Sequence, residues 1–333
     1  MGRGPTEDYH RVMNENYVEG TLTCLRKEVI RDRITPEFPL VLNIEPTNNC
    51  NSRCYYCPRE RMIGAQGTHY LPLERFQRII DQIGERRLIM LNLHKDGEPL
   101  LHRDLPAMVD YARQKKAAQV IHLNTNGTLL TTSIGRGIIE QGIDDITVSV
   151  DAAREETYRK CKGLTGLARL EDGIRKTIEY RDAIDSPTRI RVKIMEFGEV
   201  SADEIALFYE KWQGVADEVQ VTGVHSWSGA IENLAVTDEQ SEKRYPCGLL
   251  WYMLAVNSNG KVSVCNVDWD YSGVVGDLAT SDIAGIWNGP AMKAVRRAHL
   301  AGIWNCPSVC QDCVVWVSVG DMGAEFRRRP EFL

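Results

Sequence analysis

Between residues 38 and 225 the chain alternates two kinds of apolar pattern. One is a short run rich in branched residues: FPLVLNIEP (38–46), RLIMLNLHKDGEP (87–99), QVIHLNTNG (119–127), DDITVSVDA (144–152), TRIRVKIMEF (188–197) and DEVQVTGVH (217–225). Such runs, closed by turn residues, predict buried strands. The other kind repeats apolar residues at helical spacing, as where Phe76, Ile79, Ile80 and Ile83 share one face of LERFQRIIDQIG (73–84). Helices are likewise expected over 104–116, with Asp104 as N-cap and Pro106 in the first turn, and over 131–142 and 170–184. A further helix is expected over 201–215, capped by Ser201. Strand–helix alternation at roughly 25 to 40 residues predicts repeated βα units and a parallel sheet, in an open doubly wound or a barrel arrangement. In either, the loops after the strands carry the chemistry.

The pattern changes near residue 230. CGLLWYMLAVNSNGKVSVCNVDWD (247–270) reads as a β-hairpin turning at Asn259-Gly260, and 282–302 reads as helical before the cysteine-rich CPSVCQDC (306–313). The expected division is an extension at 1–36 with a short helix near 24–34, a main domain at 37–230 and a tail domain at 231–333.

Composition narrows the class. The 333 residues are 43% hydrophobic and 26% charged, as in globular proteins, and the net charge of −6 argues against a nucleic-acid surface. No stretch is long and apolar enough for a membrane span, and the first residues lack a signal-peptide core. A cytoplasmic location is therefore expected, where thiols stay reduced. Ten cysteines then call for another reason, and metal binding is the leading one.

Cys50, Cys54 and Cys57 are spaced C-x3-C-x2-C on the loop after the first strand. Structural zinc wants four ligands, and none is added nearby. Three thiolates suit a 4Fe–4S cluster with one iron left open to a chelating small molecule.

The stretch CNSRCYYC, with Tyr56 before the last cysteine, resembles the cluster motif of radical S-adenosylmethionine (SAM) enzymes. Later landmarks follow in that family's order. KDGEP resembles its glycine-rich motif for the SAM amino group, with Gly97, Glu98 and Pro99 in place and Asp96 standing where the family has glycine. NTNG (Asn124 and Asn126) resembles its third-strand motif, and Ser149 and Asp151 match its ribose-contacting position. Lys162 falls near the place of an arginine for the SAM carboxylate. The resemblance implies an α/β fold, a partial (β/α)6 TIM-like barrel. It implies SAM as co-substrate, cleaved by a reduced cluster to a 5′-deoxyadenosyl radical that abstracts a C–H hydrogen. It also implies an electron donor such as flavodoxin or ferredoxin.

Behind such a core, Cys247, Cys265, Cys310 and Cys313 resemble the twitch form of a SPASM region, a C-terminal β-hairpin plus helix holding one auxiliary 4Fe–4S cluster. A zinc ribbon is the alternative that spacing allows. Cys306 is a possible substitute ligand; Cys24 and Cys161 are expected to be buried thiols. Two 4Fe–4S clusters are thus expected. The single auxiliary site and compact length resemble aminocyclitol and sugar dehydrogenases, epimerases and decarboxylases of antibiotic biosynthesis, and peptide-modifying relatives are a further alternative. A carbohydrate or aminocyclitol substrate is expected, its secondary alcohol oxidised to a ketone. Candidate substrate residues are Glu196 at the end of the fifth strand, His225 with Trp227 at the end of the sixth, and Lys95 and Asp96 beside the SAM motif. Arg191 and Lys193 alternate with apolar residues and are expected to point into the barrel.

Overall fold

The computed structural model describes residues 33–198, 200–223, 227–231, 244–316, 326–327 and 330–333. Most of the helix expected near 24–34, together with Cys24 and His225, lies outside them.

Six parallel strands appear where the apolar runs predict them: β1 (Val41–Ile44), β2 (Leu88–Asn92), β3 (Ala118–Thr125), β4 (Asp145–Ser149), β5 (Arg189–Glu196) and β6 (Glu218–Gly223). Each hands on to the next through helical structure. The helices of this region are α1 (Arg59–Gln66), α2 (Leu73–Asp81), α3 (Leu105–Gln114), α4 (Ser133–Glu140), α5 (Glu155–Lys162), α6 (Leu167–Ala183) and α7 (Ala202–Trp212). Their apolar faces, such as Phe76, Ile79 and Ile80 of α2, are buried against the strands. Ser201 caps α7 by accepting from the Glu204 amide. Asp104 stands at the N-terminus of α3 but makes no capping bond; its carboxylate pairs with Arg103 instead.

Helices α1 and α5 are additions to the expected set. α1 has no apolar stripe and buries only Met62, so periodicity has nothing to detect. α5 is mostly charged and ends at Gly163 in the left-handed conformation.

The tail does not sit on the barrel as a separate body. Its first strand, β7 (Met253–Val256), pairs in parallel with β1, Leu42 opposite Leu254. β8 (Lys261–Ser263) and β9 (Val274–Asp277) continue antiparallel, giving one nine-stranded sheet ordered β6-β5-β4-β3-β2-β1-β7-β8-β9. The turn between β7 and β8 falls at Asn259-Gly260 as expected. Gly260 there takes φ +90° and packs under Arg75, whose guanidinium donates to the Asn259 carbonyl at 3.0 Å. The helical tract resolves into α8 (Ile283–Trp287) and α9 (Pro290–Leu300).

Successive strand residues face opposite ways. Leu42, Leu91, Ile121, Ile146 and Val192 share the phase that faces the helices and are buried. The opposite phase carries Asn43, Asn92, His122, Asp145 and Arg191. The barrel lumen is therefore polar.

Candidate active site

The loop after β1 holds Cys50, Cys54 and Cys57, all half-buried and unbridged. Its backbone is pinned from two sides. Arg53 and Tyr55 amides donate to the Lys162 and Cys161 carbonyls at the end of α5, at 3.0 and 3.3 Å. On the other side Gly97 presses so close that a Cβ there would lie 2.1 Å from the Thr47 carbonyl oxygen and 2.6 Å from that of Asn49. The Glu98 amide donates to the Asn49 carbonyl at 2.7 Å. The Glu98 carboxylate, buried, accepts from Thr125 Oγ1 and the Asn126 amide, each at 2.7 Å, and so ties the second-strand motif to the third. Asn126 Nδ2 completes the ring by donating to Asn51 Oδ1 at 2.7 Å and Ser52 Oγ at 3.0 Å. Pro99 opens a short 3-10 turn. Cys50, Cys54, Cys57, Gly97, Glu98, Pro99 and Asn126 thus form one cradle.

Tyr56 and Asp151 are joined at the far wall: the Tyr56 hydroxyl donates to Asp151 Oδ2 at 2.9 Å. Lys162 Nζ donates to the same oxygen at 2.7 Å and is itself buried. Lys162 is therefore held in place by Asp151. Asp151 has φ +57°, and its Oδ1 is buried without a hydrogen-bond partner. An orphaned carboxylate oxygen beside the cradle suits ligand hydroxyls, which donate.

Asn124 points into the lumen, its side-chain amide bridging His122 Nε2 and His94 Nε2 at 3.2 and 3.1 Å. His122 continues to Asp145 at 3.1 Å, and Asp145 pairs with Arg191. Burial pushes both histidines below their ordinary range, so they are neutral hydrogen-bonding groups at pH 7. Ser149 and Lys193 stand opposite each other in register on β4 and β5. Lys193 shares the lumen-facing phase of Arg191. Arg191 is matched with Asp145, Lys162 with Asp151 and Arg189 with Glu218, whereas Lys193 makes no ion pair among the described residues.

Glu196 is a correction. It has the phase of Ile190, Val192 and Ile194, which face the helices, and it is exposed rather than in the lumen. Trp227 is described, but it lies beyond β6 with φ +49°. Lys95 and Asp96 are likewise not turned toward a ligand. They pair with each other, and Lys95 also donates to the Asp268 carbonyl of the tail at 2.9 Å and lies 5.3 Å from the Tyr271 ring centroid. The Asp96 amide donates to Glu45, whose other oxygen accepts from Ser258 of the tail at 2.7 Å. This pair is a buried clasp between barrel and tail. Burial pushes the Asp96 carboxyl up to about 7 against the pull of Lys95, with Glu45 adding to the rise.

In the tail, Cys247, Cys265, Cys310 and Cys313 line one cavity. Its other walls are mostly apolar, including Leu249, Val264 and Val309. Cys306 is exposed and outside that lining. Cys161 is a buried thiol, as expected. Burial and the neighbouring thiols push Cys310 up, and burial holds Cys265 at about 12. Four anionic sulfurs can share such a cavity only with a cationic core among them. Among the described residues no group of three or more His, Cys, Asp or Glu converges tightly enough for a single metal ion. Ser228, Arg244 and His299 complete the lining. Sequence reasoning missed all three, since no spacing links them to the cysteines.

The radical SAM superfamily model matches residues 44–186, and an iron–sulfur cluster-binding domain model, SPASM, matches residues 247–314. The chain carries a radical SAM domain. It carries a SPASM region and is an enzyme of SAM and two 4Fe–4S clusters. The cysteine sets, the cradle closed by Gly97 and the orphaned Asp151 oxygen all fit those groups.

Among curated relatives, a GTP 3′,8-cyclase of Xanthomonas axonopodis pv. citri is 26% identical over 255 residues, 73% of each chain. A probable GTP 3′,8-cyclase of Thermococcus kodakarensis is 27% identical over 157 residues, 46% of this chain and 48% of that one. The chain thus spans about half the length of the latter relative. Among solved structures, BtrN in complex with AdoMet and 2-DOIA has a TM-score of 0.56 at 18% identity, covering 82% of this chain and 92% of that one. Streptococcus suis SuiB bound to S-adenosylmethionine has a TM-score of 0.60 at 15% identity, covering 89% and 76%. These likenesses confirm the partial barrel with its tail. Among the described residues no helix is long and apolar enough to cross a membrane.

Proposed function

We propose that the chain oxidises a secondary alcohol of a sugar or aminocyclitol to a ketone. The observation that carries this reading is the four-thiol tail cavity: with four protein ligands the auxiliary site leaves no iron open to substrate, so its use is to take an electron. When bound, the first cluster and SAM supply a 5′-deoxyadenosyl radical able to abstract a carbinol hydrogen.

The protein's part is to bind, orient and deprotonate. Asn124 and Ser149 offer hydrogen bonds suited to a polyhydroxylated ring, and His94 holds Asn124 in place. Cys50, Cys54 and Cys57 hold the first cluster, and Asn126 and the Gly97 loop shape the wall beside it. Lys193, rather than Glu196, is the group to receive the hydroxyl proton. Burial lowers its ammonium below the usual lysine range; Asp151 opposes this and the nearby Lys162 charge adds to it. The balance is then complete: a hydrogen atom leaves the carbon, a proton goes to Lys193 and one electron goes to the auxiliary site. BtrN, solved with 2-DOIA and sharing the fold, supports trying aminocyclitols first.

A second reading is radical cyclisation of a nucleotide, supported by the similarity to GTP 3′,8-cyclases over 255 residues. One experiment separates them. The anaerobic enzyme is given SAM, a reductant and either a panel of aminocyclitols and sugars or GTP. A product two mass units lighter than an alcohol of the panel supports oxidation. Conversion of GTP alone selects the second reading. A product of unchanged mass in H2O that is one unit heavier in D2O, or loss of carbon dioxide, replaces oxidation by epimerisation or decarboxylation.

A further inference from the structure

The auxiliary cavity has two buried N–H groups that the protein leaves without acceptors. Arg244 spends one end of its guanidinium on the ligand loop: Nη1 donates to the Gln311 carbonyl at 2.6 Å, and Nη2 donates to that of Cys310. Trp304 and Trp316 flank it, their ring centroids 4.8 and 5.9 Å away. The side chain is fixed from three directions. Its Nε is nonetheless buried with no hydrogen-bond partner.

His299 repeats the arrangement from the opposite element, α9. The Cys247 amide donates to His299 Nδ1 at 3.4 Å, so Nδ1 is the acceptor nitrogen and the proton sits on Nε2. The ring stands edge-on to Trp304 at 5.4 Å. Nε2 too is buried without a partner. A buried donor left unsatisfied is destabilising. Two of them line one thiol-lined, otherwise mostly apolar cavity. A third polar group there, the Ser228 hydroxyl, is likewise buried without a hydrogen-bond partner. The common acceptor they lack is an anionic sulfur.

The geometry points to Arg244 and His299 as hydrogen-bond donors to the sulfurs of the auxiliary 4Fe–4S cluster, setting that cluster to accept an electron. In a cavity of apolar walls an added negative charge is poorly tolerated, which drives a cluster's potential down. Hydrogen bonds to sulfur and a fixed positive charge offset this, and they act strongly where the dielectric is low. The inference rests on cluster occupancy of this cavity and deepens the proposed oxidation. It stands whether or not an aminocyclitol is the substrate.

The test is an anaerobic redox titration of the full chain with both clusters reconstituted, followed by electron paramagnetic resonance and driven by dithionite. SAM, which binds only the first cluster, marks which signal belongs to which. Arg244→Met and His299→Phe are each expected to lower the auxiliary potential while iron content and the first cluster's potential stay unchanged. Arg244→Lys, which keeps charge but loses Nε, is expected to shift it less. Unchanged auxiliary potentials at full iron content overturn the proposal. Should the variants lose iron, the unaltered chain decides. Its reduced auxiliary cluster is expected to show an exchangeable proton coupling, lost in D2O, and a weak nitrogen coupling. The absence of an exchangeable coupling overturns the proposal as well.

Discussion

Lys162 Nζ stands 2.7 Å from Asp151 Oδ2, both side chains buried, on the wall that also carries Tyr56. Removing one partner of a buried pair strands the other's charge. Lys162→Met is therefore expected to cost about 3–5 kcal/mol, more than Tyr56→Phe, which removes one hydrogen bond to a charged group worth about 1.5–3 kcal/mol. Urea denaturation of the reduced chain measures both; the reverse order would refute the pairing.

The clasp between barrel and tail should make stability depend on pH. Burial raises Asp96 from 3.8 to about 7, so the folded state holds a proton that the unfolded state has released between those values. Its contribution is full below about pH 4 and is lost as pH rises through about 7. The linkage is up to about 4 kcal/mol, at about 1.4 kcal/mol per unit. Relative to Asp96→Asn, the unaltered chain should lose stability over that window. Parallel curves for the two proteins would rule this out.

Gly97 admits no side chain, since a Cβ would meet backbone oxygen at 2.1 Å. Gly97→Ala is expected to push the second-strand loop off the cysteine loop, costing about 1–3 kcal/mol. SAM binding, measured by anaerobic calorimetry, should fall at least about tenfold, corresponding to 1.4 kcal/mol of that strain.

Much of this was legible in the sequence. The branched runs named six strands because they are buried, and the C-x3-C-x2-C loop with its later motifs named the first site. Of the polar residues inside those runs, Arg191 and Lys193 were expected in the lumen, whereas Asn43, Asn92, His122 and Asp145, which share that phase, were passed over as parts of apolar strands. Long-range partnerships stayed hidden. Lys95 and Asp268 are far apart in sequence, and no local pattern links Arg244 or His299 to the auxiliary cysteines. Glu196 was misplaced by one step of alternation: a strand's end residue looks catalytic until its phase is counted.

The tail ligands can be separated by iron content. Alanine at Cys247, Cys265, Cys310 or Cys313, which share the cavity, should reduce about eight irons per chain to about four. Cys306→Ala, at an exposed position outside the lining, should keep all of them. Loss of the second cluster on Cys306→Ala alone would reassign the ligand set. Because metal binding is coupled to folding, the four-iron variants should also expose the tail to limited proteolysis.

The base assignment turns on strand phase. Lys193 and Ser149 are register partners facing the lumen, whereas Glu196 follows Ile194 outward and is exposed. Lys193→Met is expected to keep SAM cleavage and lower ketone formation by about 100-fold or more, the scale of general acid–base catalysis. Glu196→Gln is expected to leave both near those of the unaltered enzyme. The loss in Lys193→Met should shrink as pH rises, because hydroxide can take the proton that the amine no longer accepts. A purely structural role would lower SAM cleavage and ketone together, at every pH. If Glu196→Gln, and not Lys193→Met, separates cleavage from product, the proton leaves by the outer face and the lumen assignment fails.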